Sequence, residues 1–199
     1  MFSGIVESVM PILSSQELPN AYRISIKKPS EFNDIKLGDS IACDGVCLTV
    51  ENFDDHQMTF ALAAETIRVL RWSPQSWLGR LVNLERSLRF GDRIHGHLVT
   101  GHVDSLGEIT RAELDGESFF LDIKVEDSIL PYVWKKGSVT LNGVSLTVNE
   151  IQNSILSVCL IPETQKRTNL GALKQNNFVN VEPDYMARAV QRAIELRKS

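Results

Sequence analysis

The sequence predicts a mainly β protein: two tandem copies of one module of roughly a hundred residues, then a short C-terminal helix. Three observations predict it: an ordered internal repeat, short alternating runs broken by turn residues, and one amphipathic stripe at the end of the chain. The repeat decides the architecture. Asp44-Gly45-Val46-Cys47-Leu48-Thr49-Val50 returns as Asn142-Gly143-Val144-Ser145-Leu146-Thr147-Val148, five of seven residues identical at an offset of 98. The same offset carries Glu65-Thr66 onto Glu163-Thr164. An offset of 97 carries Ser3–Glu7 onto Thr100–Asp104 and Val82–Glu85 onto Val179–Glu182. Matches in one collinear order mark a duplication.

Within each copy, apolar or alternating runs read as short strands: Ala21–Ile26, Ser40–Val50 and Met58–Leu62, then Phe119–Val125, Ser138–Val148 and Ile155–Ile161. Such spacing suits a small barrel or sandwich. Asp44-Gly45 and Asn142-Gly143 tolerate positive φ, so each predicts a tight turn or bulge before its Leu-Thr-Val strand. Gly91-Asp92 interrupts the pattern and divides the chain into modules 1–92 and 93–185, with a terminal helix over 186–199. Asp184 can cap that helix, whose Met186, Ala189, Val190, Ala193 and Leu196 form one apolar stripe. Arg192, Arg197 and Lys198 sit where positive charge suits the helix dipole. The stripe fits either packing on the protein's own core or a contact between subunits.

The chain has 199 residues, 43% of them hydrophobic, enough for one large core or two small ones. A net charge of −4 and the lack of any Lys/Arg run argue against nucleic acid as a partner. Neither a basic, then apolar, leader nor an apolar stretch of about 18 residues is found, which points to a soluble protein with no membrane partner. Cys43, Cys47 and Cys159 are odd in number and lack metal spacing, so a reducing, cytoplasmic location is expected.

Successive strand residues face opposite sides, so Cys47 and Thr49 share a face, as do Ser145 and Thr147. Two small polar groups on one strand face can hydrogen-bond the edge of a flat heterocycle. The duplication supplies two such ledges, and hence predicts two related ligand sites; the alternative is that these groups satisfy nearby backbone. His95 and His97 form a His-x-His pair, but only His56 lies outside the 93–104 cluster and no third ligand is evident, so no metal is expected. His102 follows Gly101, where backbone can approach a ligand and an imidazole can move protons near neutral pH. Lys136 could hold an anion or a ligand oxygen, and the Glu-Thr pairs suit a polyol. Phosphate loops and the G-x-S-x-G nucleophile elbow are absent.

The runs Met1–Glu7, Gly45–Val50, Gly96–Asp104, Gly143–Val148 and Ile161–Gly171 closely resemble the riboflavin synthase α-chain family over nearly the whole length. The resemblance implies an all-β fold: a tandem duplication of two six-stranded Greek-key β-barrels with a C-terminal α-helix. It implies dismutation of two molecules of 6,7-dimethyl-8-ribityllumazine, one donating a four-carbon unit to the other, without a cofactor. It also implies a homotrimer with active sites between subunits, the helix serving oligomerisation, and association with lumazine synthase. Gly4, Ile5, Val6, Cys47, Leu48, Thr49, Ala61, Leu62, Ala63, Ala64, Glu65, Thr66, Gly101, His102 and Val103 would line the first pocket. Lys136, Ser145, Leu146, Thr147, Cys159, Leu160, Ile161, Pro162, Glu163 and Thr164 would line the second. His102 and Thr147 would handle or position protons, with Cys47 and Ser40 near the reacting ring, and Ser145 with Asp184 on the other side.

Two departures stand out. Arg68–Trp77 replaces the Arg-Thr-Asn-Leu-Gly run that follows Glu-Thr in the second copy, and Asp44 and Asn142 exchange the family's usual turn residues. The rival readings are a lumazine or flavin carrier on the same fold and a flavin-binding reductase. The pairs Cys47/Ser145 and His102/Ile5 are the differences that could separate donor from acceptor.

Overall fold

A computed structural model describes residues 1–70 and 77–197, without the side chains of Ala64 and Glu65. The first module contains β1 (Ser8–Leu18), β2 (Ala21–Lys27), β3 (Ser40–Cys43), β4 (Val46–Phe53), β5 (Gln57–Ala63), α1 (Ala64–Leu70) and β6 (Leu81–Arg86). Its strands close into an antiparallel barrel in the order β1-β2-β5-β4-β3-β6. Because β2 lies beside β5 rather than β3, the path is a Greek key. Alternation sends Met58, Phe60 and Leu62 of β5 into the barrel and leaves Ala61 and Ala63 outside.

The second module contains β7 (Ser105–Asp115), β8 (Ser118–Lys124), β9 (Ser138–Leu141), β10 (Val144–Thr147), β11 (Glu150–Gln152), β12 (Ile155–Leu160), α2 (Pro162–Arg167) and β13 (Phe178–Pro183). Here the expected six-stranded barrel is a curled seven-stranded sheet, β10-β9-β13-β7-β8-β12-β11. The circular order matches the first module, but the counterpart of β4 is split into β10 and β11, one at each edge. The cut is local. Val148 donates its N–H to Gly137 on the β9 side, and Asn149 donates to Ser157 on β12. At the same place in the first module, β4 stays continuous through an irregularity between Val50 and Asn52.

The predicted runs Ser40–Val50 and Ser138–Val148 are both hairpins. Asp44 and Gly45 have φ of 46° and 81°, and Asn142 and Gly143 of 46° and 79°, the two-residue turn with positive φ at both positions. The sequence reading did not single out β1 or β7. In β1, Pro11 and a register shift between Ile12 and Ser14 break the alternation that marks a strand.

Each module has its own core, yet the segments that precede β1 and β7 cross over. Val6 is buried in the second core, while Val103 packs against the first. Burying a valine contributes about 2 kcal/mol, so each crossing ties the modules together. The helix α3 (Tyr185–Leu196) is capped as expected, Asp184 Oδ1 accepting from Met186 N at 2.8 Å. Its apolar stripe does not pack on the protein's own core: Met186 and Val190 are 55% and 56% exposed. Arg188 tethers the helix through Asp104 at 2.8 Å and lies over the Tyr132 ring.

Candidate ligand pockets

The two β-hairpin turns meet at a local two-fold axis. A Cβ added to Gly45 would lie 2.7 Å from Gly143 N, and one added to Gly143 would lie 2.7 Å from Gly45 N, so only glycine fits either position. Around this contact the hydrogen bonds come in pairs. Asn83 Nδ2 donates to Asn142 O at 2.8 Å, and Asn180 Nδ2 to Asp44 O at 2.7 Å. Asn83 N donates to Asp44 Oδ1 and Asn180 N to Asn142 Oδ1, both at 2.8 Å. Each bond contributes about 1 kcal/mol net, and a lost partner inside this buried hub costs more.

The symmetry ends at the charge. Burial pushes the Asp44 carboxyl upward, against the pull of Arg80, the Asn83 N–H and Asn169. Arg80 Nη2 lies 3.0 Å from Asp44 Oδ2. Asn142 takes the same position without charge, sparing the hub a second buried carboxylate. Asn169 fills the centre, donating to Asp44 Oδ1 at 2.8 Å and accepting from Asn83 and Asn142. The Arg-Thr-Asn-Leu-Gly run found only in the second copy thus delivers a hub residue. Its first-copy counterpart falls within 71–76, outside the described residues.

From this hub the crossing segments reach the ledges. Gly4 (φ 75°) accepts from Ser145 N at 2.8 Å, and Gly101 (φ 82°) from Cys47 N at 2.9 Å. A Cβ on Gly4 would lie 2.6 Å from Ser145 Cβ; on Gly101, 2.5 Å from Cys47 Cβ. The grouping expected from sequence is therefore corrected. Gly4, Ile5 and Val6 belong to the second ledge, because the chain crosses before β1, whereas Gly101, His102 and Val103 belong to the first.

Val46, Cys47, Thr66, Val69, Leu70, Gly101, His102 and Val103 enclose a cavity of about 260 Å³ on the first module. The ladder between β4 and β5 ends at the Val50–Phe60 pair, so Cys47–Thr49 and Ala61–Ala63 part beside it. Cys47 is half-buried and Thr49 exposed on the outward face. The second ledge repeats this, with Ser145 half-buried and Thr147 exposed. Leu48, Leu62, Leu146 and Leu160 depart from the expected lining: all four are buried, with their side chains in the two cores. Cys159 and Thr164 are half-buried near the second ledge, with Ile161, Pro162 and Glu163 exposed and Glu163 paired to Arg167. The Ala64 and Glu65 side chains lie outside the described residues.

Ser40 stands opposite Thr49 across β3 and β4, and lines a separate open cleft of about 670 Å³ with Ile5, Glu7, Asp34 and Arg86. Lys136 is exposed, with φ of 68° at the place where the first copy has Gly38.

His97 is the site residue that the sequence did not reveal. Its Nδ1 lies 2.7 Å from Ser145 Oγ and its Nε2 3.2 Å from Thr140 Oγ1. Burial holds this imidazole below its usual pKa, opposed by the charge of Asp184. That direction favours the neutral ring, in which one nitrogen donates and the other accepts. Cys47, the counterpart of Ser145, instead shares its cavity with the exposed His102. Among the described residues, no group of three His, Cys, Asp or Glu side chains could hold a metal ion.

A family model described as the lumazine binding domain matches residues 3–87 and again 100–184. The riboflavin synthase of Actinobacillus pleuropneumoniae is 36% identical over 196 residues, covering 96% of this chain and 88% of that protein. That of Bacillus subtilis (strain 168) is 36% identical, covering 98% and 92%, and that of Schizosaccharomyces pombe is 34% identical, covering 98% and 94%. LumP complexed with riboflavin shares the fold with a TM-score of 0.84 at 24% identity, covering 92% of this chain and 99% of that one. LumP complexed with 6,7-dimethyl-8-(1'-D-ribityl) lumazine does so with a TM-score of 0.80 at 22% identity and the same coverage.

Proposed function

The chain belongs to the lumazine-binding domain family, and we infer that it acts as a riboflavin synthase, converting two molecules of 6,7-dimethyl-8-ribityllumazine into riboflavin and 5-amino-6-(D-ribitylamino)uracil. Relatives of that activity, 34–36% identical over nearly the full chain, support the reaction. The single structural observation that carries it is the pair of ledges, each completed by a crossing segment. A dismutation needs two heterocycles held together, and much of the rate then comes from proximity and orientation.

The reaction begins when one lumazine loses a proton from its C7 methyl group, leaving charge that spreads into the ring. Its carbanion attacks the partner ring, and a four-carbon unit passes from donor to acceptor with no external oxidant. Each residue role is part of the proposal. His102, exposed beside Cys47, moves a proton at the first pocket. Ser145, bonded to neutral His97, and Thr147 orient or protonate the ring at the second. Ser40 and Asp184 act from the rims, Lys136 and the Glu163-Thr164 pair suit the ribityl chain, and modules 1–92 and 93–185 each take one substrate molecule.

The pockets are completed by a homotrimer in which the first module of one subunit faces the second module of another. The exposed apolar face of α3, including Met186 and Val190, supports such a contact. Three free cysteines suit a reducing cytoplasm, and association with lumazine synthase, which would supply the substrate, belongs to the same reading. The LumP structures favour one rival, a carrier that binds without turnover. Purified protein given only 6,7-dimethyl-8-ribityllumazine should yield one riboflavin for every two substrate molecules consumed. Tight binding without riboflavin would establish the carrier instead.

A further inference from the structure

We propose that Glu85 and Glu182 are crossed positioning residues: Glu182 of the second module sets the wall of the first pocket, and Glu85 of the first module sets the wall of the second. The inference rests on the two-pocket reading above, but its geometry is independent of turnover. Glu85 Oε1 accepts from Ser3 N at 2.7 Å and Ser3 Oγ at 2.9 Å, while Oε2 accepts from Gly4 N at 3.0 Å. Glu182 repeats the clasp on Thr100 N at 2.8 Å, Thr100 Oγ1 at 2.6 Å and Gly101 N at 3.1 Å.

Both carboxylates are buried, 5% and 2% exposed, so these charge-assisted bonds face little competition from water. Burial pushes the Glu85 carboxyl upward, opposed by the Ser3, Gly4 and Ile5 donors that favour its charged form. Consecutive N–H groups converging on one anion hold the backbone in a single conformation. With its N–H pinned to the carboxylate, each glycine aims its carbonyl at the opposite ledge: Gly4 at Ser145 N and Gly101 at Cys47 N. The next residue follows, His102 lining the first pocket and Ile5 the cleft that Ser40 also lines, and Val6 or Val103 is anchored in or against the opposite core. A carboxylate that never touches substrate therefore fixes one wall of each pocket.

The test uses the full-length protein, with iodoacetamide labelling read residue by residue by mass spectrometry. Cys47 reports the first strap, and the thiol introduced by Ser145→Cys reports the second. Glu182→Gln should speed Cys47 labelling roughly ten-fold, the release expected when a charge-assisted clasp is lost, while the position-145 thiol keeps its rate. Glu85→Gln should do the reverse. In steady state, Glu182→Gln should lower kcat because His102 rides on that strap, and Glu85→Gln should mainly raise KM. Should either glutamine variant fail to fold, Thr100→Val and Ser3→Ala remove only the hydroxyl arm and should give the same crossed pattern at smaller size. Equal acceleration at both thiols, or acceleration confined to the same module as the substitution, overturns the proposal. A crossed labelling pattern, when the unaltered protein makes no riboflavin, keeps the clasp and discards the synthase reading.

Discussion

The two modules share a strand order but not a ledge. In the first, β4 is continuous, Cys47 faces a cavity and His102 lies across it; in the second, the same strand is cut at Val148–Asn149, Ser145 is tied to His97 and Ile5 takes the place of His102. What stays paired is the machinery that joins the copies: Gly45 with Gly143, Asn83 with Asn180, and Glu85 with Glu182. Duplication kept the frame because each hub residue contacts its counterpart's neighbours across the axis, so a change in one copy leaves a buried partner unsatisfied in the other. The ledge residues lie outside this paired frame and differ between the copies, Cys47 against Ser145.

The largest test of that division breaks the shared frame. Gly143→Ala puts a Cβ 2.7 Å from Gly45 N at positive φ. It should cost roughly 3 kcal/mol, seen as a lower urea midpoint, and Gly45→Ala should cost a similar amount. Unequal losses would mean the axis does not bind the copies equally.

The ledges should respond unequally. Ser145→Ala strands the His97 Nδ1 partner and should cost about 1–3 kcal/mol, whereas Cys47→Ala should cost about 1 kcal/mol or less by the same measurement. His102→Ala should lower turnover more than binding; unchanged turnover removes it from proton handling.

A smaller effect concerns pH. Burial places the folded pKa of His97 below the unfolded value of about 6.5. Between those two values the unfolded chain binds more protons, so stability present above pH 6.5 falls as pH drops towards the folded pKa. Thermal unfolding from pH 7.5 to 5 should show this loss, and His97→Asn should flatten it. The smallest expected change is at Lys136, whose φ of 68° is the conformation glycine holds at Gly38. Lys136→Gly should be neutral or stabilising by up to about 1 kcal/mol, while a weakened substrate KM would give its ammonium a binding role.

These contrasts also mark what the sequence could express. Asp44-Gly45 and Asn142-Gly143 were readable as turns because φ preference is local. The ledges were readable because strand alternation is local and the copies agree. The crossing of Ser3–Val6 and Thr100–Val103 was not, since two homologous segments exchanged between barrels look the same in sequence as two that stay at home. His97 lies 48 residues from Ser145 and outside the matched runs of the repeat, so neither spacing nor repetition signals the pair. The stripe on α3 was visible as a pattern, but whether something covers it is a property of assembly.

The central claim is that one chain offers two unlike sites to two like molecules. An 8-ribityllumazine without the C7 methyl group can occupy them but cannot start the reaction, so its equilibrium titration counts sites directly. The account predicts two molecules bound per chain, with Cys47→Trp filling the first pocket and reducing the count to one. A single molecule bound per chain in the unaltered protein would contradict it.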